Sequence, residues 1–494
     1  MPNPSFSFDN SYARLPDRFF ARQKPTPVER PHLVRLNAAM CETLGLDPDA
    51  LNSEEGATIF AGNHVPAGAE PISMAYAGHQ FGGWVPQLGD GRAILLGEIV
   101  GTDGVRRDIQ LKGSGRTPFS RGGDGRAALG PILREYVVSE GMHALGVPTT
   151  RALAAVKTGE RVIRGAYLPG AILTRVATSH VRVGTFEFLF GKRDYEGLRT
   201  LANYVIARHY SHAKDAENLF EALLRSVMER QAVLVAKWFS LGFIHGVLNT
   251  DNTAISGETI DYGPCAFMDA YHSETVFSSI DHMGRYAFGN QSSILQWNLA
   301  KLADCLVPII DDDIDKARGL AQAVINDFPA VFESELTIVL RTKLGLFDAK
   351  DNDLALAFEL LESMAEGKAD FTNTFRALAD IADPEINENN DVRKEFETSH
   401  AFDVWMKRWQ ARLGQEKVNV ARRKASMRAV NPAVIPRNHL VAAAIRAAEE
   451  EDDFQPFNAL VDQVSRPFDD RPDRSVYTRP PAPEEVVRQT FCGT

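Results

Sequence analysis

Cysteine is scarce in this chain: four in 494 residues, at positions 41, 265, 305 and 492. That is too few for a disulfide scaffold at this length, and no two of them stand at zinc-ligand spacing. Long apolar runs are missing as well. No stretch of about eighteen such residues occurs, which excludes a membrane-spanning helix and leaves no membrane partner to expect. Positive charge is not in excess either. With 54 Lys+Arg against 65 Asp+Glu, a formal charge of −11, a surface built throughout to hold nucleic acid is excluded, and no nucleic-acid partner is expected. The opening MPNPSFSFDNSYARLP has no basic segment leading into an apolar one, and Asp9 and Asp17 suit a transit peptide poorly. A cytoplasmic protein is the expectation.

What is present is an ordinary globular composition, 44% hydrophobic and 24% charged, in a chain long enough for two or more lobes. The most informative stretch is IHGVLNTDNTAISGETIDYG, Ile244 to Gly263. Ser256-Gly257 reads as a turn between two β-prone pieces, Thr253-Ala254-Ile255 and Thr259-Ile260, so a hairpin is expected with Asn252 and Asp261 at its two mouths. An amide oxygen and a carboxylate facing one point suit a hard cation that takes few protein ligands, such as Mg²⁺, and hence nucleotide chemistry.

Protein kinases present the same order: a His-Arg-Asp triplet, a downstream Asn, and an Asp-Phe-Gly. Here His245-Gly246-Val247 stands for the first triplet, Asn252 keeps the spacing, and Asp261-Tyr262-Gly263 stands for the last. Val247 occupies the place of the kinase base and accepts no proton. Asp251, beside the metal-ligating amide, is the candidate for that role.

Upstream, Ala93 to Ile99 and Asp108 to Lys112 read as strands, and Asp90-Gly91 between β-like segments reads as a tight hairpin whose glycines let backbone N–H groups approach phosphate. A helix is expected from about Pro131, taken as its first residue, carrying Glu135. A lysine ending a strand and a glutamate on the next helix form the ion pair by which kinases orient lysine toward phosphates. Ala171 to Arg175 reads as another strand, with Arg182 beyond it. A helix is expected from Asn218 to Gly242, apolar at Leu219, Leu223, Val227, Leu234 and Trp238, feeding directly into His245. His32 to Leu46 carries a short helical pattern. Near the C-terminus, basic residues from Lys407 to Arg428, interleaved with Trp405 and Trp409, read as solvated helix faces. From Arg466 a Pro-rich tail begins.

The segments YAGHQFGGWVPQLGDGR (Tyr76 to Arg92), LKGSGRTPFSRGGDGR (from Leu111), HGVLNTDN (from His245) and DYGPCAFMD (from Asp261) together resemble the selenoprotein O family of pseudokinases, over nearly the whole chain. The resemblance implies an α+β, kinase-like bilobal fold, with an N-lobe sheet plus helix and a mostly helical C-lobe. The divisions expected are an extension over 1–70, the N-lobe over 71–180, the C-lobe over 181–465 and a tail over 466–494. It implies a protein adenylyltransferase that moves AMP from ATP, bound in inverted orientation, to Ser, Thr or Tyr hydroxyls of proteins, possible redox-related ones among them. By matching position, Gly89, Gly91, Arg92, Lys112, Asp124, Gly125, Arg175, Arg182 and Asp261 would bind ATP, and Glu135 would hold Lys112. Asn252 and Asp261 would bind Mg²⁺ or Mn²⁺, and Asp251 would be the base. A monomer is expected.

Where many relatives of that family carry selenocysteine near the C-terminus, this chain has Cys492. A disulfide between Cys492 and Cys265, tuning activity with redox state, is the accompanying hypothesis. Two other readings stay open on the sequence: a catalytically silent nucleotide-binding scaffold, and an ordinary kinase using Asp251.

Overall fold

The strand-forming runs of roughly the first third of the chain collect into one antiparallel sheet. The computed structural model describes residues 5–383, 391–470 and 475–491. In chain order the strands are β1 (Phe20–Arg22), β2 (His32–Leu36), β3 (Ile72–Met74), a separate hairpin of β4 (Gly78–Gln80) and β5 (Gly83–Val85), then β6 (Ala93–Val100), β7 (Arg106–Lys112), β8 (Ala127–Ala128), β9 (Arg151–Ile163) and β10 (Tyr167–Ala177). The sheet runs β1-β3-β6-β7-β10-β9-β2, with β8 added to β10. Lys112, at the end of β7, lies opposite Ala93 on one side and Leu173 on the other. The fold is α+β and kinase-like, as expected: a sheet-and-helix N-terminal part followed by mostly helical structure.

Three short helices, α1 (Ala38–Leu44), α2 (Pro48–Leu51) and α3 (Glu54–Phe60), lie between β2 and β3 in the chain, and α4 (Leu129–Ala144) packs on β9 and β10. The C-terminal part is built from α5 (Val183–Gly191), α6 (Tyr195–His209), α7 (Leu219–Leu241), α8 (Gln291–Ile310), α9 (Ile314–Lys343), α10 (Asp353–Glu366), α11 (Phe371–Leu378), α12 (His400–Leu413), α13 (Val420–Arg428), α14 (Asn438–Glu450) and α15 (Gln455–Val464). Among the described residues no helix is long and apolar enough to cross a membrane.

Helix α7 shows why the periodic segments were legible. The Asn218 side chain accepts from the N–H groups of Phe220 and Glu221, and Gly242 closes the helix at φ +67°. Leu223, Val227, Leu234 and Trp238 are buried along one face. The chain then passes through β11 (Phe243–Ile244), paired with β12 (Ala266–Phe267), into the loop that begins with His245.

Several local expectations are corrected. His32 to Leu36 is a strand paired with β9, and only Ala38–Leu44 is helical. Pro131 is the third residue of α4, where its missing N–H still has no intrahelical partner to lose. Asp90-Gly91 is not a hairpin turn. It links the β4–β5 hairpin to β6, and Asp90 buries its carboxylate, accepting from Met74 N at 3.1 Å and Gln110 Nε2 at 3.2 Å. In the basic run, Lys407 and Arg408 are exposed, but Arg412 and Arg423 are buried against Asp353 and Glu416, and Trp405 and Trp409 are core.

Candidate active site

The segment after His245 is held by distant partners and not by itself. Ala254 bridges Arg182 and Thr259 bridges Thr149, so the expected hairpin between 253 and 260 does not form. Each edge finds a better-placed partner elsewhere in the chain. The two ends of the segment are nevertheless joined. His245, fully buried and kept neutral by that burial, bonds through Nε2 to Ile260 O at 2.8 Å and stacks on Trp238. Asp261 follows with φ +65°, a left-handed conformation unusual for a non-glycine residue.

That conformation brings the Asp261 carboxylate into a ladder of alternating charge. Lys112 Nζ donates to Glu135 Oε2 at 2.5 Å and reaches Asp261 Oδ1 at 3.3 Å. Arg175, 1% exposed, donates through Nε to Glu135 Oε1 at 2.8 Å and through Nη2 to Asp261 Oδ1 at 2.7 Å. Arg182 Nη1 donates to Asp261 Oδ2 at 2.6 Å and to the Asp251 carbonyl at 2.6 Å, with its guanidinium over the Tyr76 ring. Burial alone would raise the Asp261 pKa, but Arg175, Arg182 and Lys112 together hold it well below the carboxylate range. Lys112 is itself lowered by burial, which Glu135 offsets only in part.

Asp251 differs in kind. Its Oδ2 accepts from Gln80 Nε2 at 3.1 Å, while Oδ1 is buried and has no hydrogen-bond partner. Burial pushes its pKa up to about 6. Val247, at the kinase-base position, lines the same cleft without any proton-accepting atom. The Asn252 amide nitrogen donates to Val247 O at 2.8 Å, which leaves its oxygen as the end of the side chain open to a cation.

One cleft of about 970 Å³ is lined by Gly89, Gly91, Arg92, Lys112, Asp124, Gly125, Glu135, Arg175, Arg182, Asp251, Asn252 and Asp261, so the structure brings all of these together. They do not all meet. Asp124 sits on the outer wall, paired with Arg164 at 2.8 Å, and Gly125, at φ +71°, packs on the backbone of Gly115. Phe119 lies so close behind Gly89 that a Cβ there would stand 2.3 Å from its ring. Sequence reasoning missed Tyr76, Asp90 and Gln80 as members of the site. Gln80 belongs to the YAGHQFG segment, yet nothing local ties it to a residue 171 positions away. Cys265 is buried outside the lining, and Cys492 lies outside the described residues.

Among the described residues there is no group of three or more His, Cys, Asp or Glu to cage a metal alone. Asn252 and Asp261 fit an ion that relies on few protein ligands: both offer hard oxygen to one cleft, and among the described residues Asp261 Oδ2 accepts one bond, from Arg182.

A family model described as "Protein adenylyltransferase SelO" matches residues 3–465. A relative called protein nucleotidyltransferase YdiU from Rhodopseudomonas palustris (strain BisB5) is 60% identical over 490 residues, covering 99% of each chain. Proteins of the same name from Bradyrhizobium sp. (strain ORS 278) and Rhizobium meliloti (strain 1021) are 59% and 56% identical, over at least 99% of both chains. A kinase-like cleft without the kinase base, matched along its whole length in this way, makes the chain a nucleotidyltransferase that belongs to the SelO family of protein adenylyltransferases.

Proposed function

We propose that this cleft transfers AMP from ATP to Ser, Thr or Tyr hydroxyls of protein acceptors, with Asp251 as the base. The observation that carries the reading is a buried carboxylate, Asp251, that lines one cleft with a bank of cations. A hydroxyl entering the cleft gives its proton to the Asp251 carboxylate while its oxygen bonds the α-phosphorus. The bond from that phosphorus to the bridging oxygen breaks, and pyrophosphate leaves with the electron pair. Lys112, Arg92, Arg175 and Arg182 offset the negative charge on the transferring group and on departing pyrophosphate. Backbone at Gly89 and Gly91, and the loop at Asp124 and Gly125, border the space left for the nucleotide. Glu135 keeps Lys112 aimed inward. Bound Mg²⁺ or Mn²⁺, held by Asn252 and Asp261, would supply Lewis-acid neutralisation of phosphate oxygens. The inverted placement of ATP rests on the family resemblance.

Redox control by a Cys265–Cys492 disulfide belongs to the same reading. Its support is the path of the tail: Thr490 pairs with the backbone of Phe277 and Ser279, and its hydroxyl donates to Pro264 O at 2.5 Å. The chain thus arrives beside Cys265 two residues short of Cys492. A cytoplasmic setting, with redox-related proteins among the acceptors, accords with this device.

The test is paired incubation with ATP labelled at the α- or the γ-phosphate, wild type beside Asp261→Ala. Label from the α position alone, lost in the variant, is expected. Label from γ would make the protein a kinase with a displaced base, and label from neither, with ATP still bound, would make it a scaffold.

A further inference from the structure

The β4–β5 hairpin is stitched to three consecutive residues of the catalytic loop. His79 N donates to Thr250 Oγ1 at 2.7 Å, Gln80 Nε2 donates to Asp251 Oδ2 at 3.1 Å, and Phe81 N donates to Asn249 Oδ1 at 3.0 Å. The hairpin is shaped for this contact at some cost. Phe81 takes φ +51°, and Gly78 has no room for a side chain, because a Cβ would stand 2.7 Å from Asp251 Oδ1. His79 is fixed in turn by Glu187, at 2.6 Å, and by the rings of Trp84 and Trp297.

We infer that Gln80 is a positioning residue for adenylyl transfer: its amide, donating to Asp251 Oδ2, fixes the rotation of the carboxylate at the wall of the cleft. This rests on the reading of Asp251 as the base. A carboxylate on a short side chain can offer either oxygen, and rotation about its last bond exchanges them. An N–H donor on one oxygen breaks that symmetry, much as a base in other enzymes is oriented by a third group. The Asp251 carbonyl is tied by Arg182, and among the described residues Gln80 is the side chain that donates to its carboxylate. In the step itself the proton passes to the Asp251 carboxylate, and Gln80 exchanges no proton.

The test uses the full chain with a protein acceptor, measuring kcat and the KM for ATP in Gln80→Met, Gln80→Glu, Asp251→Ala and the Gln80→Met/Asp251→Ala pair. Gln80→Met keeps the length and loses the donor, and is expected to lower kcat by tenfold or more with the KM for ATP within twofold. Gln80→Glu, which sets an acceptor against a carboxylate, should lose more. In the Asp251→Ala background, Gln80→Met should add nothing further, because a residue that acts through Asp251 has nothing left to position. A kcat for Gln80→Met within twofold of wild type, a loss confined to the KM for ATP, or an equal loss with and without Asp251 would each overturn the inference while leaving the base in place. An Asp251→Ala variant that transfers AMP at the wild-type rate would instead overturn the base, and the inference with it.

Discussion

Arg175 Nη2 meets Asp261 Oδ1 at 2.7 Å in a position where the arginine is almost wholly withdrawn from solvent. The same guanidinium holds Glu135, so one buried cation serves two carboxylates. Arg175→Met should therefore leave two acids facing each other with only Lys112 between them. A loss of about 3 kcal/mol in unfolding free energy is expected, together with more than a hundredfold loss of AMP transfer. Chemical denaturation followed by a labelling assay would check both.

Gly78 offers a sharper probe of the proposed role of Asp251. Gly78→Ala adds one methyl group against Asp251 at an ordinary backbone conformation. The fold should lose about 1–3 kcal/mol, whereas kcat should fall at least tenfold with ATP affinity unchanged. A nucleotide-binding titration beside the transfer assay separates the two effects.

Lys343 gives a pH dependence with a definite sign. Its ammonium lies 4.3 Å from the Phe375 ring centre, and burial lowers its pKa to about 7. Between about 7 and the unfolded value of 10.5, the unfolded chain binds a proton that the folded chain does not, so stability rises with pH across that window. Below about 7 both forms are protonated and the penalty is present in full. Lys343→Met should remove this slope and raise stability at pH 7 by on the order of 2 kcal/mol. Denaturation midpoints of both proteins at pH 7 and pH 9.5 would reveal it.

Glu449, on α14, accepts from Gly130 N at 2.9 Å and so caps the first turn of α4, which has no side-chain cap of its own. Glu449→Ala is expected to cost about 1 kcal/mol and to speed amide exchange at Gly130 without changing exchange in α7. Hydrogen-exchange mass spectrometry resolves that pattern.

Much of this site was legible because its parts sit on elements with strong local signals. Lys112 ends an alternating strand, Glu135 rides a helix, and Asn218 and Gly242 bracket α7. Where local chemistry had to choose a distant partner, it misled. The β-prone pieces around Ser256-Gly257 looked complementary, but Ala254 and Thr259 pair with Arg182 and Thr149, which only the packed fold brings near. Asp90-Gly91 has turn composition, yet the aspartate is spent on tethering Met74 and Gln110 across the sheet. Gln80 was invisible for the same reason: its importance is a contact, and no spacing encodes it.

Helix α4 is covered on both faces. Ile132, Leu133, Tyr136 and Val137 lie in one cluster with β9 and β10 on the sheet side and with Val441, Ala444, Phe457 and Leu460 of α14 and α15 beyond, and Tyr136 meets Phe457 edge to face at 5.6 Å. Rotating such a helix outward would expose several large side chains, at roughly 1.5–3 kcal/mol each. Glu135 is accordingly carried on a beam and not on a lever. That packing opposes the swing by which a kinase parts its lysine from its glutamate, and it favours Lys112 and Glu135 staying paired whether or not the cleft is filled.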